Sequence, residues 1–319
     1  MIALEEIRRA RETIAGAAVR TPLVRLDAPA EVDAEIWLKL ENLQPIRSFK
    51  IRGATNAIRR ASDAEVAGGV VTASAGDMAQ GVAWAARERG VPATIVVPEA
   101  APAAKLSAIA RLGGTVIKVP HAEWFQAILD SRFDGLDGLF VNPVQNDLVM
   151  AGNGTIGLEI LEDLPDVDTV LVPWGGGGLS TGIASAIRQL APEVRVCAVE
   201  PETAAPLHAS LAAGEMTPAH DHRASFVDGA GAPALLPKMW EVSRGLIEES
   251  FTSSADETAA ALRLLVERAS VVAEGAGALS TAVALSGRAG GGKIVCVVSG
   301  GNIDASRLTA ILSGETPGA

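Results

Sequence analysis

Residues 170–187 read Val170-Leu-Val-Pro-Trp-Gly-Gly-Gly-Gly-Leu-Ser-Thr-Gly-Ile-Ala-Ser-Ala-Ile187. An apolar strand-like run enters four glycines, Gly175, Gly176, Gly177 and Gly178, and a helix-like run follows at once. Four backbone N–H groups at a helix N-terminus make a cradle for an anion. Glycine permits the close approach and the unusual dihedrals such a cradle needs. A flexible turn is the plain alternative, but four glycines cost backbone entropy that an ordinary turn does not require. The anion is not marked as a dinucleotide, because the G-x-G-x-x-G pattern needs glycine at position 180, where the chain has Ser180.

Outward from this stretch, strand-like and helix-like runs alternate. Short strands are expected at Gly68–Ala73, Ala93–Pro98, Thr115–Val119, Val167–Pro173, Val194–Val199 and Ile294–Val298, with helices over Met78–Gly90 and Pro102–Leu112. Such alternation predicts an α/β fold of βαβ units, with mostly parallel sheets flanked by helices. Ligands of such sheets bind at the carboxyl ends of the strands. Residues 67–145 read as a small domain, and residues 1–66 with 146–319 as a larger one around it.

Composition narrows the function. The chain has 319 residues, 48% of them hydrophobic and 20% charged, as expected of a folded globular protein. A net charge of −11 argues against nucleic-acid binding or an anionic membrane surface. No apolar run approaches a membrane span. The segment MIALEEIRRARETIAG reads as an amphipathic helix without the apolar core of a signal peptide. Cys197 and Cys296 lie in apolar strand-like runs and read as reduced core thiols of a cytoplasmic protein. Tyrosine is absent, which removes it as a catalytic acid or base, and the four histidines show no zinc-site spacing.

Two further loops follow strands. Thr72-Ala-Ser-Ala-Gly-Asp-Met-Ala-Gln-Gly81 brings small residues to a helix start, where outward N–H groups suit a carboxylate; an ordinary capped helix fits this stretch equally well. Ser299-Gly-Gly-Asn302 ends the last strand and presents a hydroxyl, or is a plain turn. Gly287-Arg-Ala-Gly-Gly-Gly-Lys293 resembles a phosphate-binding loop, but Ile294 replaces the Ser or Thr and a strand follows, so it reads as a surface loop. Gly178-Leu-Ser-Thr-Gly182 matches a hydrolase nucleophile elbow, with Ser180 as nucleophile and Asp221 and His222 in order, but the four glycines lengthen the turn.

In Ser48-Phe-Lys-Ile-Arg-Gly-Ala54 a single lysine opens a helix-like run from Ile51 to Arg60. Taken with Thr21-Pro-Leu-Val-Arg-Leu26, Leu38-Lys-Leu-Glu-Asn-Leu-Gln44, the Ser74 loop, the four glycines, Ala198-Val-Glu-Pro201, Glu274-Gly-Ala-Gly-Ala278 and Ser299-Gly-Gly-Asn302, the chain resembles the fold type II pyridoxal-phosphate enzymes. It is most similar to their threonine/serine dehydratase and serine racemase branch. The resemblance implies a two-lobed, tryptophan synthase β-like fold and pyridoxal 5'-phosphate as cofactor. It implies that Lys50 forms the Schiff base and acts as the catalytic base, that Phe49 packs beside the ring, and that Gly175 to Gly178 cradle the phosphate. Ser299 would face the pyridine nitrogen and leave it largely unprotonated, which suits elimination. Asp77 would face the ring oxygen, and Ser74, Ala75, Gly76 and Met78 would line the substrate's place. The implied reaction is deamination of threonine or serine to a 2-oxo acid and ammonia, by a homodimer. Racemisation, or dehydration of a hydroxyaspartate or a phenylserine, is the runner-up.

Five positions depart from the family pattern. Asp77 and Met78 stand where the family usually has Asn and His, and an ionised Asp77 accepts hydrogen bonds but donates none. Arg47 replaces a frequent glycine, either as a solvated side chain or as partner of an acidic group. Ala75 replaces the serine used as second acid/base in serine racemase, which favours dehydration. Glu200 matches the family's cation site, but Pro206 replaces its second acidic residue, so no metal is assigned. The length leaves no room for an added regulatory domain, and feedback by a branched-chain amino acid is not expected.

Overall fold

The computed structural model describes residues 1–220 and 222–318, without the side chain of Ala104. Its strands are β1 (Leu23–Arg25), β2 (Glu35–Leu40), β3 (Val70–Ala73), β4 (Ala93–Pro98), β5 (Gly114–Val119), β6 (Leu139–Phe140), β7 (Thr169–Pro173), β8 (Arg195–Pro201), β9 (Glu249–Ser253) and β10 (Lys293–Val298). The first six helices are α1 (Leu4–Thr13), α2 (Lys50–Arg60), α3 (Asp77–Arg89), α4 (Ala103–Arg111), α5 (His121–Asp130) and α6 (Asp147–Asp163). The other six are α7 (Gly178–Leu190), α8 (Pro206–Ala213), α9 (Pro237–Ser243), α10 (Ala255–Ala269), α11 (Gly275–Leu285) and α12 (Ala305–Leu312).

A larger sheet runs in the order β1-β2-β10-β7-β8-β9, and a smaller one in the order β5-β4-β3-β6. Every ladder is parallel except β1 with β2. Parallel strands between helix layers are buried on both faces, which is why β7 and β10 read as unbroken apolar runs. The cysteines are free and buried in β8 and β10. The loop at 286–292 joins α11 to β10 and is mostly exposed, as its sequence suggests.

Helix α2 ties the two sheets together. Its Ala54, Ala57 and Ile58 join the core beneath the smaller sheet. Its other side meets α6, where a Cβ at Gly152 would stand 2.6 Å from the Arg52 carbonyl oxygen. That close approach seats the start of α2 against the larger sheet.

The same seam holds four buried charges. The Arg52 guanidinium donates to both oxygens of Glu41 at 2.8 Å and to Glu159 at 2.6 and 2.9 Å. Lys39 Nζ donates to Glu159 at 2.6 Å and to the Thr21 carbonyl at 2.7 Å. The two cations and two anions balance, as charges away from water require. The Glu41 carboxyl lies below the usual range despite its burial, because Arg52 sits against it.

Candidate active site

The loops after β3, β7 and β10 and the first turn of α2 meet at one cleft. One end, of about 580 Å³, is lined by Phe49, Lys50, Ser74 to Met78 and Ser299, among others. The other end is lined by Lys50, Val144, Gly175 to Gly178 and Ser299. Lys50 and Ser299 belong to both ends, so every residue assigned to the site from sequence borders this cleft.

Lys50 is the first residue of α2, one position earlier than the helical run read from sequence. The Phe49 amide donates to the Ser299 carbonyl at 3.0 Å, which pins the lysine to the end of β10. Lys50 Nζ lies 4.9 Å from the centre of the Phe49 ring. Among the described residues it has no hydrogen-bond or ion-pair partner. Removal from water lowers its pKa, while Asp77 and Glu274 oppose the shift.

The glycine loop leads into α7 with Gly177 as N-cap at φ +93°. A Cβ at Gly176 would lie 2.5 Å from Val144, and one at Gly177 would strike the Trp174 ring. No side chain caps α7, so its first N–H groups are free to bind an anion at that end of the cleft. At the other end, α3 begins at Asp77 without a side-chain cap, and a Cβ at Gly76 would meet nothing within 4 Å. Two N-terminal anion sites with a lysine amine between them fit a phosphate-bearing aldehyde cofactor and a carboxylate substrate.

The structure also decides the rival readings. Ser180 is fully buried inside α7 and donates to the Pro173 carbonyl at 3.1 Å, so it is no nucleophile at a strained turn. His222 is exposed, and Asp221 lies outside the described residues. Arg47 is exposed and makes no ion pair among the described residues, but it adopts φ +59°, which explains why glycine suits the position. Glu200 accepts from the Leu207 and His208 amides at 3.0 and 2.7 Å and from the Ser250 hydroxyl at 2.7 Å. Burial still pushes its carboxyl up to about 7.

Sequence reasoning missed the surroundings of Asp77. Asn302 donates to Asp77 Oδ1 at 2.8 Å, across 225 residues of chain. Glu274, the N-cap residue of α11, is buried on the same wall. Lys105 on α4 pairs with Asp228 at 2.6 Å across the cleft mouth. Glu274 and Asn302 fall inside stretches that stand out in the sequence, but only folding brings them to Asp77.

The chain is similar to known proteins over most of its length. A family model described as "Pyridoxal-phosphate dependent enzyme" matches residues 14–300. The L-threonine ammonia-lyase of Thermotoga maritima is 42% identical, over 98% of this chain and 79% of its own length. The catabolic L-threonine dehydratase of Escherichia coli is 39% identical, over 97% of this chain and 96% of its own. The structure of maize serine racemase superposes with a TM-score of 0.88 at 32% identity, covering 98% of this chain and 97% of that one. The chain therefore belongs to the pyridoxal-phosphate dependent enzymes, with the fold type II architecture its glycine loops and parallel sheets predict.

Proposed function

We propose that this protein is a threonine/serine ammonia-lyase, converting a β-hydroxy amino acid to a 2-oxo acid and ammonia. The observation that carries this reading is Lys50, an unpartnered amine of lowered basicity between two helix N-termini. Relatives that align over nearly the whole chain and are named for threonine support the substrate class.

In this reading the N–H groups of Gly175 to Gly178 would hold the cofactor phosphate, Phe49 would pack beside the ring and Ser299 would lie at its nitrogen. When bound, pyridoxal phosphate supplies an electron sink for the electrons released at the substrate α-carbon. The backbone of Ser74, Ala75, Gly76 and Met78 holds the substrate carboxylate at the start of α3. Lys50, whose basicity is lowered by desolvation, takes the α-proton. The β-hydroxyl takes up a proton and leaves as water, balancing the α-proton removed, and the released enamine tautomerises to an imine that water converts to the 2-oxo acid and ammonia. Ala75 offers no acid or base on the opposite side, which favours elimination over racemisation.

The same reading divides the chain into a small domain at 67–145 and a larger one formed by 1–66 and 146–319. It also makes the protein a cytoplasmic homodimer; among the described residues no helix is long and apolar enough to cross a membrane. The test is 2-oxo acid release from a panel of L-threonine, L-serine, hydroxyaspartate and phenylserine. Threonine or serine should lead, and Lys50→Ala should lose turnover and the covalently held chromophore together. Turnover retained in Lys50→Ala refutes the assignment, and inversion of the α-carbon without 2-oxo acid release makes the protein a racemase.

A further inference from the structure

Asp77 and Glu274 are two carboxyls on one wall of the cleft, and neither has an ion-pair partner among the described residues. A Cβ at Gly300 would collide with Glu274 Oε1 and stand 3.1 Å from Asp77 Oδ2, so both oxygens rest against the same glycine. The two carboxyls therefore interact across this glycine. Two carboxylates have only acceptors, so their approach is favourable only with a proton between them.

The surrounding charges set how many protons the pair holds. Lys50 faces Asp77, Lys105 lies near both acids, and Asp228 faces Glu274. Lys105 is already committed to Asp228, with Arg307 3.9 Å from the same carboxylate. Arg47, Arg111 and Asp304 line the adjoining opening. Burial raises both carboxyls, Glu274 well above the usual range with Asp77 adding to it. Hydrogen bonds from Asn302 and Ser48 favour the ionised form of Asp77. These surroundings favour a proton on Glu274 over one on Asp77.

We propose that Asp77 and Glu274 share one proton and pass it between them, so that Asp77 presents an O–H donor to the anionic ring oxygen of bound pyridoxal phosphate. The Glu274 O–H breaks, the Asp77 O–H forms, and the negative charge moves one carboxyl further from the ligand. No other reactant is needed. The pair thus supplies a donor where Asp77 alone offers only acceptors. Glu274 is a positioning residue that acts through Asp77. This inference deepens the cofactor-site reading and rests on it for the identity of the ligand.

The test is equilibrium binding of pyridoxal phosphate to the full chain from about pH 6 to about pH 10, in a Lys50→Ala background that removes the lysine's own titration. Binding that requires one shared proton weakens about tenfold per pH unit once the pair titrates. Asp77→Asn carries a permanent N–H donor and should bind tightly, without that slope. Glu274→Gln should bind more weakly at low pH and also lose the slope. Near neutral pH the buried Glu200 carboxyl is also partly protonated, so the infrared difference between wild type and Glu274→Gln, both cofactor-free, should show a protonated-carboxyl stretch. An unchanged slope in Asp77→Asn overturns the proposal, whether or not Glu274→Gln folds. Absence of the infrared band overturns it as well. If the wild type binds no pyridoxal phosphate, the cofactor-site reading fails, and the infrared band tests the shared proton separately.

Discussion

Replacing Arg52 by methionine tests the seam that seats Lys50. Arg52 is 1% exposed and closes a buried group of two cations and two anions. Arg52→Met keeps the length and helix propensity of the side chain but leaves Glu41 and Glu159 facing Lys39 alone. Removing one partner of a buried pair costs about 3–5 kcal/mol, because the charge left behind is still dehydrated. Unfolding entropy of about 2.1 cal/mol/K per residue corresponds to roughly 0.7 kcal/mol per degree for a chain this long. The melting temperature should therefore fall by about 4–7 °C. Thermal unfolding of the cofactor-free protein measures this directly. The double variant Arg52→Met/Glu159→Gln restores charge balance and should cost less than the sum of the single changes. Because α2 begins at Lys50, Arg52→Met should also weaken cofactor retention. A loss below about 1 kcal/mol, or strict additivity with Glu159→Gln, would refute a balanced buried network.

Two other substitutions probe particular sites. Arg47→Gly removes a side chain held at φ +59°, a conformation that costs a non-glycine residue about 1–2 kcal/mol. The greater freedom of glycine in the unfolded chain offsets about 0.4–1 kcal/mol, so thermal unfolding should show a gain of up to about 1 kcal/mol; a clear loss would mean the side chain makes a contact that matters. Glu200 titrates near 7 in the folded protein against 4.5 normally, so its contribution is fully present below about pH 4.5 and lost as pH rises through about 7. Denaturant titrations should show wild type losing up to about 3 kcal/mol over that window relative to Glu200→Gln; parallel curves would place Glu200 in contact with water.

Much of the fold was legible because its signals are local. The strands at 93–98 and 293–298 are apolar runs bounded by turns, and α3 and α4 fall within two residues of their expected ends. The Lys50 assignment depended on several loops in order, since a lysine at a helix start has no meaning by itself. Arg47 shows the opposite limit. Its departure from glycine was visible, but the positive φ that gives the departure its cost is a tertiary fact, set where the Gly301 amide donates to the Arg47 carbonyl at 2.9 Å.

The sequence by itself determined the parallel α/β architecture and the glycine turns at its strand ends, which follow from glycine placement and apolar periodicity over short stretches. The role proposed for Lys50 came from the resemblance of several loops in order to one family. Tertiary structure alone decided the chemistry around Asp77. In sequence this residue is a carboxylate where the resembled family usually has Asn. In the folded chain Glu274 and Asn302, each roughly two hundred or more residues away, stand against it. Burial there raises its pKa while Asn302 opposes the shift, and neither is a property of residue 77 or its neighbours in the chain.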